Sequence, residues 1–195
     1  MRFAHRSACL AAAAAFCLTS NLAPSRAHAA GGIAGIEAMT ATVFQQHQSS
    51  FSGLALRLRI QDSRLLENVE LMPTIEYWRN STSIAAFGID AVRRDATLGG
   101  DVRWLFPGEN WRVYGGGGVA VHFLSSEVNA PSLGLTNVTD GLTKGGLTLL
   151  GGVQFGPKAK LGNFLEAKGH FVGGYNQLKI NMGLSWNFDT PTAKK

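Results

Sequence analysis

Cysteine is scarce: 195 residues hold two, Cys9 and Cys17. Both lie in an N-terminal stretch built like a secretory leader. Arg2 and Arg6 make a basic start, Leu10 to Leu18 is a short apolar run, and Ala27-His28-Ala29 supplies the small residues of a cleavage site after Ala29. Phe16, before Cys17, is too bulky for a lipoprotein box. From residue 30 onward there is no thiol, which excludes a disulfide framework, a cysteine nucleophile and a cysteine metal site. Long apolar runs are also missing. The run in the leader is shorter than the ~20 residues a helix needs to cross a bilayer, and nothing longer follows it. That excludes membrane helices and leaves membrane strands open. Charge is thin, 16% of residues against about 25% in ordinary soluble domains. Its basic excess belongs largely to the leader: of 18 bases and 13 acids, Arg2, Arg6 and Arg26 leave with it, so 15 bases face 13 acids. A surplus of two gives no bulk electrostatic reason to bind nucleic acid.

Glycine is abundant, 24 residues, and the apolar residues alternate. Eight segments read as strands, near 32–42, 53–61, 69–78, 96–106, 111–123, 145–156, 163–172 and 178–188. In the last, Ile180, Met182, Leu184, Trp186 and Phe188 oppose Lys179, Asn181, Gly183, Ser185 and Asn187, a period of two that no helix preserves. In the second, Leu54, Leu56, Leu58 and Ile60 oppose Ala55, Arg57, Arg59 and Gln61. Pro73 lies within the third and predicts a bulge or a weakened ladder there, because proline has no N–H to donate. Segments of 9–13 residues are longer than the usual soluble strand of about 5–6 and reach the ~9–11 needed to cross a membrane at a tilt. The connections alternate too. Those at 62–68, 107–110 and 157–162 are short; 43–52, 79–95 and 124–144 are longer, with 173–177 short again. Short turns on one side and long loops on the other suit an outer-membrane barrel. The three longer stretches are expected to be mobile outer loops.

The polar faces carry Glu37, Glu70, Glu76, Asp101 and Glu166 beside Arg57, Arg59, Arg103, Arg112, Lys168 and Lys179. Near-balance of sign is what an ion-pair network filling a narrow lumen requires, since a buried charge is costly unless paired. Tyr77, Trp104, Phe106, Phe123, Phe155, Trp186 and Phe188 lie on the apolar faces near strand ends, as interfacial girdles do. Fold expectation: all-β, an eight-stranded antiparallel up-and-down transmembrane β-barrel over residues 31–188, after a leader 1–29 and before a short tail 189–195. A soluble lipocalin-like lipid binder, with the apolar face turned inward, has formally the same pattern.

The final strand also carries a motif. Asn181, Gly183, Trp186 and Phe188 resemble the β-signal by which outer-membrane proteins are received by the barrel-assembly machinery. The chain as a whole resembles the small eight-stranded outer-membrane β-barrel superfamily of the OmpA transmembrane domain and OmpX. The resemblance implies an exported protein of the Gram-negative outer membrane, with membrane lipids, lipopolysaccharide and the assembly machinery as its partners. It implies no single activity, because this fold hosts adhesins, structural proteins and enzymes. The preferred reading is a structural or surface-interaction role, with a narrow channel as one alternative and a lipid A-modifying enzyme as another. Deacylases of this shape use a His and a Ser two residues apart. His170 and His122 are the weak catalytic candidates here, but Val172 and Leu124 stand at the serine position. No cofactor or metal site is expected, and Gly115 to Gly118 lacks the Lys-Ser/Thr of a phosphate loop. Arg93-Arg94, in the second outer loop, is a candidate contact for lipopolysaccharide phosphates.

Overall fold

The computed structural model describes residues 32–45, 48, 50–61 and 68–188. The expected leader and tail lie outside the described residues. Eight antiparallel strands follow in order: β1 (Gly32–Gln45), β2 (Phe51–Gln61), β3 (Val69–Ile84), β4 (Ile89–Leu105), β5 (Trp111–Ala130), β6 (Leu135–Phe155), β7 (Leu161–Val172) and β8 (Gln177–Asn187). Each pairs with the next, and β1 pairs with β8 from Gly35↔Asn187 to Gln45↔Gln177, so the sheet closes into a barrel. One end carries the connections between β2 and β3, β4 and β5, and β6 and β7, and is called the turn end; the opposite end is the hairpin end.

Burial decides which side is which. From Gly35 to Val43 in β1 and from Gly53 to Arg59 in β2 the residues at odd numbers are buried and those between them are exposed. Leu54, Leu56, Ile75, Leu98, Val119, Leu147, Leu149 and Met182 all face outward, while Glu37, Arg57, Arg103 and Lys168 are buried within. This is the reverse of a lipocalin-like binder, whose greasy face points inward. Aromatics ring the greasy surface at both ends. Trp104, Trp111, Phe155 and Trp186 lie exposed near the turn end, and Phe44, Tyr77 and Phe171 near the hairpin end. Tyr77 pairs with Ala96 and Val69 with Trp104, so the two rings are eight residues apart along β4. That is roughly 26 Å of strand at ~3.3 Å per residue, and about 20 Å in height at the ~40° tilt of small barrels.

Pro73 makes no register shift. It pairs with Gly100 on β4, but toward β2 the ladder passes from Arg57↔Thr74 to Ile60↔Leu71 with Leu58 and Arg59 unpaired. The missing N–H opens the ladder without displacing it, so the expected bulge is absent.

The larger correction concerns the outer loops. Residues 79–84 and 89–95 extend β3 and β4 as a ladder to Ile84↔Ile89, and 124–130 and 135–144 extend β5 and β6. The expected loops 79–95 and 124–144 are therefore strand, closed by short 3-10 turns at Ala85–Phe87 and Pro131–Leu133. Gly88 and Gly134 end these turns at φ 60° and 72°, a left-handed backbone that glycine adopts without strain. Of the expected loop 43–52, residues 43–45 belong to β1 and 51–52 to β2. The neighbouring strands stop short. β2 meets β3 no farther than Gly53↔Trp78, and β6 meets β7 no farther than Gly146↔Val172. A four-stranded sheet, β3-β4-β5-β6, thus stands above the hairpin-end rim on one side. Among the described residues no strand pairs with its two outer edges.

Candidate functional site: the sealed interior

The interior is built from side chains at alternate positions of all eight strands, and its groups form three tiers. Nearest the turn end, Arg57 grips Glu166 with two parallel hydrogen bonds, Nη2 to Oε1 at 2.7 Å and Nη1 to Oε2 at 2.9 Å, and reaches Glu37 at 3.1 Å. Arg103 donates to Glu37 and to Glu70, each at 2.8 Å, and its guanidinium lies 4.6 Å from the centre of the Tyr114 ring. Arg59 makes a second two-pronged contact, with Glu70 at 2.7 and 3.2 Å, and donates to Ser185 and Asn187. Forked pairs of this kind are the strong form of the ionic hydrogen bond. Tyr114 and Asn181 donate to the remaining Glu166 lone pairs at 3.2 and 2.9 Å.

In the middle tier Lys168 bridges Glu76 and Asp101, 2.8 Å from each. Lys179 also holds Glu76, and Thr148 donates to Asp101. Toward the hairpin end, Asp95 Oδ2 lies 2.8 Å from His122 Nδ1, with Thr97 Oγ1 3.0 Å from the same nitrogen. His122 Nε2 meets His170 Nδ1 at 3.2 Å, and His170 Nε2 stands 3.5 Å from Glu76. Above this tier Trp78, Val43 and Ala41 pack with Phe51, Leu124 and Tyr175, closing that end of the lumen with apolar contacts.

Of the residues picked from sequence, Glu37, Arg57, Arg59, Glu70, Glu76, Asp101, Arg103, Glu166, Lys168 and Lys179 all lie buried inside and paired. Arg112 is half-buried; it donates to Gln154 at 2.9 Å and stands 3.9 Å from Glu70. Asn181 also faces inward. Gly183 lies under the Phe164 ring, and a Cβ there would come 2.8 Å from its edge and 2.7 Å from Met39. Trp186 and Phe188 point outward. Asp95, Thr97, Tyr114, Thr148 and Gln154 join the interior without having been picked out by sequence. Asp95 shares its parity with Asp101 on β4, but it falls in the stretch that reads as loop, so the alternation stops one residue short of it. With Asp95, six buried acids face five buried bases and the half-buried Arg112, a closer balance than sequence alone suggests.

His122 and His170 are wholly buried and face the barrel axis. His122 is engaged by an acid and a threonine on one side and by His170 on the other. Among the described residues neither histidine is paired with a serine: the partners of His122 are Asp95, Thr97 and His170, and His170 stands between His122 and Glu76. No described group of three or more His, Cys, Asp and Glu side chains is arranged to hold a metal. A lumen filled in this way predicts electrical silence. Purified barrel added to planar bilayers should give no steady unitary current, and reproducible steps would mean that the ion-pair tiers part to admit water.

Closed barrel, outward apolar belt and filled polar lumen define the architecture of the small eight-stranded outer-membrane β-barrels. Solved structures of that class superpose on the chain. The attachment invasion locus protein Ail of Yersinia pestis does so at 14% identity and a TM-score of 0.55, over 82% of this chain and 99% of Ail. A major outer membrane protein of Thermus thermophilus matches at 15% identity and 0.54, over 83% and 100%. Neisserial surface protein A matches at 13% and 0.53, over 79% and 95%. At such identities the likeness is one of fold. No protein-family model matches the sequence, and no curated protein sequence does.

Proposed function

We propose that this protein is an integral outer-membrane barrel with a surface-contact role, its turn end in the periplasm and its hairpin end outside the cell. The observation that carries the reading is the pairing of a greasy, twice-girdled wall with a sheet that stands beyond it and mixes polar with apolar residues. In water the wall would expose a continuous apolar surface far beyond what soluble monomers tolerate. In lipid it is matched to its surroundings. The standing sheet has two outer edges with which no described strand pairs, residues 79–84 of β3 and 140–145 of β6, and such an edge is a template on which an extended segment of another polypeptide adds as a strand. Asn181, Gly183, Trp186 and Phe188 would serve as the signal to the barrel-assembly machinery before taking the packing roles described above.

Two measurements test this. Protein extracted from outer membranes should migrate faster in SDS gels before boiling than after, because a closed barrel resists the detergent. Unchanged migration, with the protein recovered from the soluble periplasm, would sink the membrane reading. For orientation, residues 30–195 carry no cysteine, so single cysteines report cleanly. Ser83→Cys, beside a hairpin tip, should react on intact cells with a membrane-impermeant maleimide, while Lys158→Cys, in a short turn, should react only after lysis. The opposite pattern would invert the barrel.

A further inference from the structure

Register splits the adjacent arginines. Successive residues of a strand point to opposite sides of the sheet, so Arg94 and Arg93 cannot act as one patch. Arg93 lies on the axis side, with Asp95, and its charge acts on Tyr175 at the mouth of the lumen. Arg94 lies on the lipid side, and the residue directly opposite it on β3 is Arg79. Directly opposite residues share a face and stand ~4.5–5.5 Å apart at Cβ, and like charges in that relation are destabilising. Sequence distance conceals this pair, which becomes a pair only through the extended hairpin.

The pair is poorly neutralised. Among the described residues Arg94 has one ion-pair partner, Glu127 at 3.2 Å, and both side chains are partly exposed. Arg79 is exposed and makes no ion pair among the described residues. Ser125 stands directly opposite Arg94 on the other side, adding a hydroxyl to the same face. The height of the site is set by its neighbours. The next lipid-side row down is Tyr77, Ala96 and Phe123, which belongs to the upper aromatic girdle. Two residues of strand are about 6.6 Å, so the guanidinium groups sit just above the ring level at which aromatic girdles mark the end of the hydrocarbon. That is the level of lipid headgroups.

We infer that Arg79, Arg94 and Ser125 form a clamp for a phosphate group of an outer-leaflet lipid seated against the β3–β5 wall, its acyl chains lying along the apolar belt below. A phosphate accepts from two guanidinium forks at once and turns a like-charge contact into a bridged one. The inference rests on the membrane reading above, and gel mobility tests that reading separately.

The experiment uses the full-length exported protein. It is reconstituted in phosphatidylcholine vesicles doped with lipid A, or with lipid A stripped of its phosphates, and then extracted into neutral detergent. Lipid A retained per barrel is counted by native mass spectrometry. Wild-type protein should retain the phosphorylated lipid, and Arg79→Gln/Arg94→Gln should retain it at least about tenfold less well, as expected for the loss of two charge-assisted contacts. Arg93→Gln, on the opposite face, should behave as wild type. All three proteins should keep their heat-dependent mobility, which separates failure of the clamp from failure of the barrel. Equal retention by the double variant, equal retention of the dephosphorylated lipid, or an equal loss in Arg93→Gln would overturn the clamp. So would displacement of the lipid by millimolar inorganic phosphate alone, which would show a site for the free anion.

Discussion

Arg103→Met should cost the barrel about 3–5 kcal/mol, the range for removing one partner of a buried ion pair. Arg103 is fully buried and is the link between Glu37 and Glu70. Methionine fills similar space but leaves two carboxylates short of a donor in an interior that water does not replenish. Arg57 and Arg59 still contact them but are already committed to Glu166 and to Ser185. The measurement is the urea midpoint of the refolded barrel in lipid vesicles, followed by tryptophan fluorescence. Arg103→Lys should recover only part of the loss, because an ammonium cannot reproduce the planar fork. Adding Glu70→Gln to Arg103→Met should recover some stability by removing one unpaired charge, despite deleting a further native group. A loss under about 1 kcal/mol for Arg103→Met would place the pair in the weakly stabilising class of solvated surface bridges and would mean that the lumen is wet.

The second large effect is steric. Gly116→Ala/Gly118→Ala should destabilise the barrel by at least about 3 kcal/mol, near the upper end of the usual cost of overpacking. A Cβ at Gly116 would run into the Val102 carbonyl and come 2.8 Å from the Arg103 Cα; one at Gly118 would run into the Gly100 carbonyl and come 2.7 Å from the Asp101 Cα. These obstacles are backbone and cannot swing aside, so β4 and β5 must part where Arg103 and Asp101 are held. Gly100→Ala is the matched control, since nothing lies within 4 Å of a Cβ there. The unboiled gel reports the outcome: the fast-migrating folded band should be depleted in the double variant and intact in the control. A double variant that folds as well as wild type would mean that the glycines are incidental to closure.

Both results bear on how far the fold can be read from the chain. Period two makes the strands legible wherever the outer side is apolar and the side toward the lumen is polar, as in Leu54 to Ile60 and Lys179 to Phe188. It fails above the rim, where polar residues stand on both sides and the apolar ones, such as Ile84, Val138 and Leu142, keep no regular period. Ser81-Thr82-Ser83 and Ser125-Ser126-Glu127 show no alternation, and register is weakly marked in strands with two polar faces. These stretches therefore read as loops, and Asp95 is lost with them. Ladder hydrogen bonds inherited from the belt below, and short turns ending in Gly88 and Gly134, keep them extended without help from a hydrophobic stripe.

Alternation, composition and the short turns determined by themselves that this chain makes an all-β barrel and which residues of the belt share a face, because those properties depend only on each residue's parity along its own strand; which face lines the interior was decided by the closed sheet, where the charged side is buried and the apolar side exposed. The partners within the interior were decided by closure. Arg57 and Glu166 are 109 residues apart, and Lys179 and Glu76 are 103; a slip of two residues between strands would preserve every inward face and change every pair. The same holds outside. Adjacent Arg93 and Arg94 are separated by the sheet between them, while Arg79 and Arg94 are brought together across a hairpin. Strand register sets these distances, and register is fixed by the whole closed sheet rather than by any one segment of it.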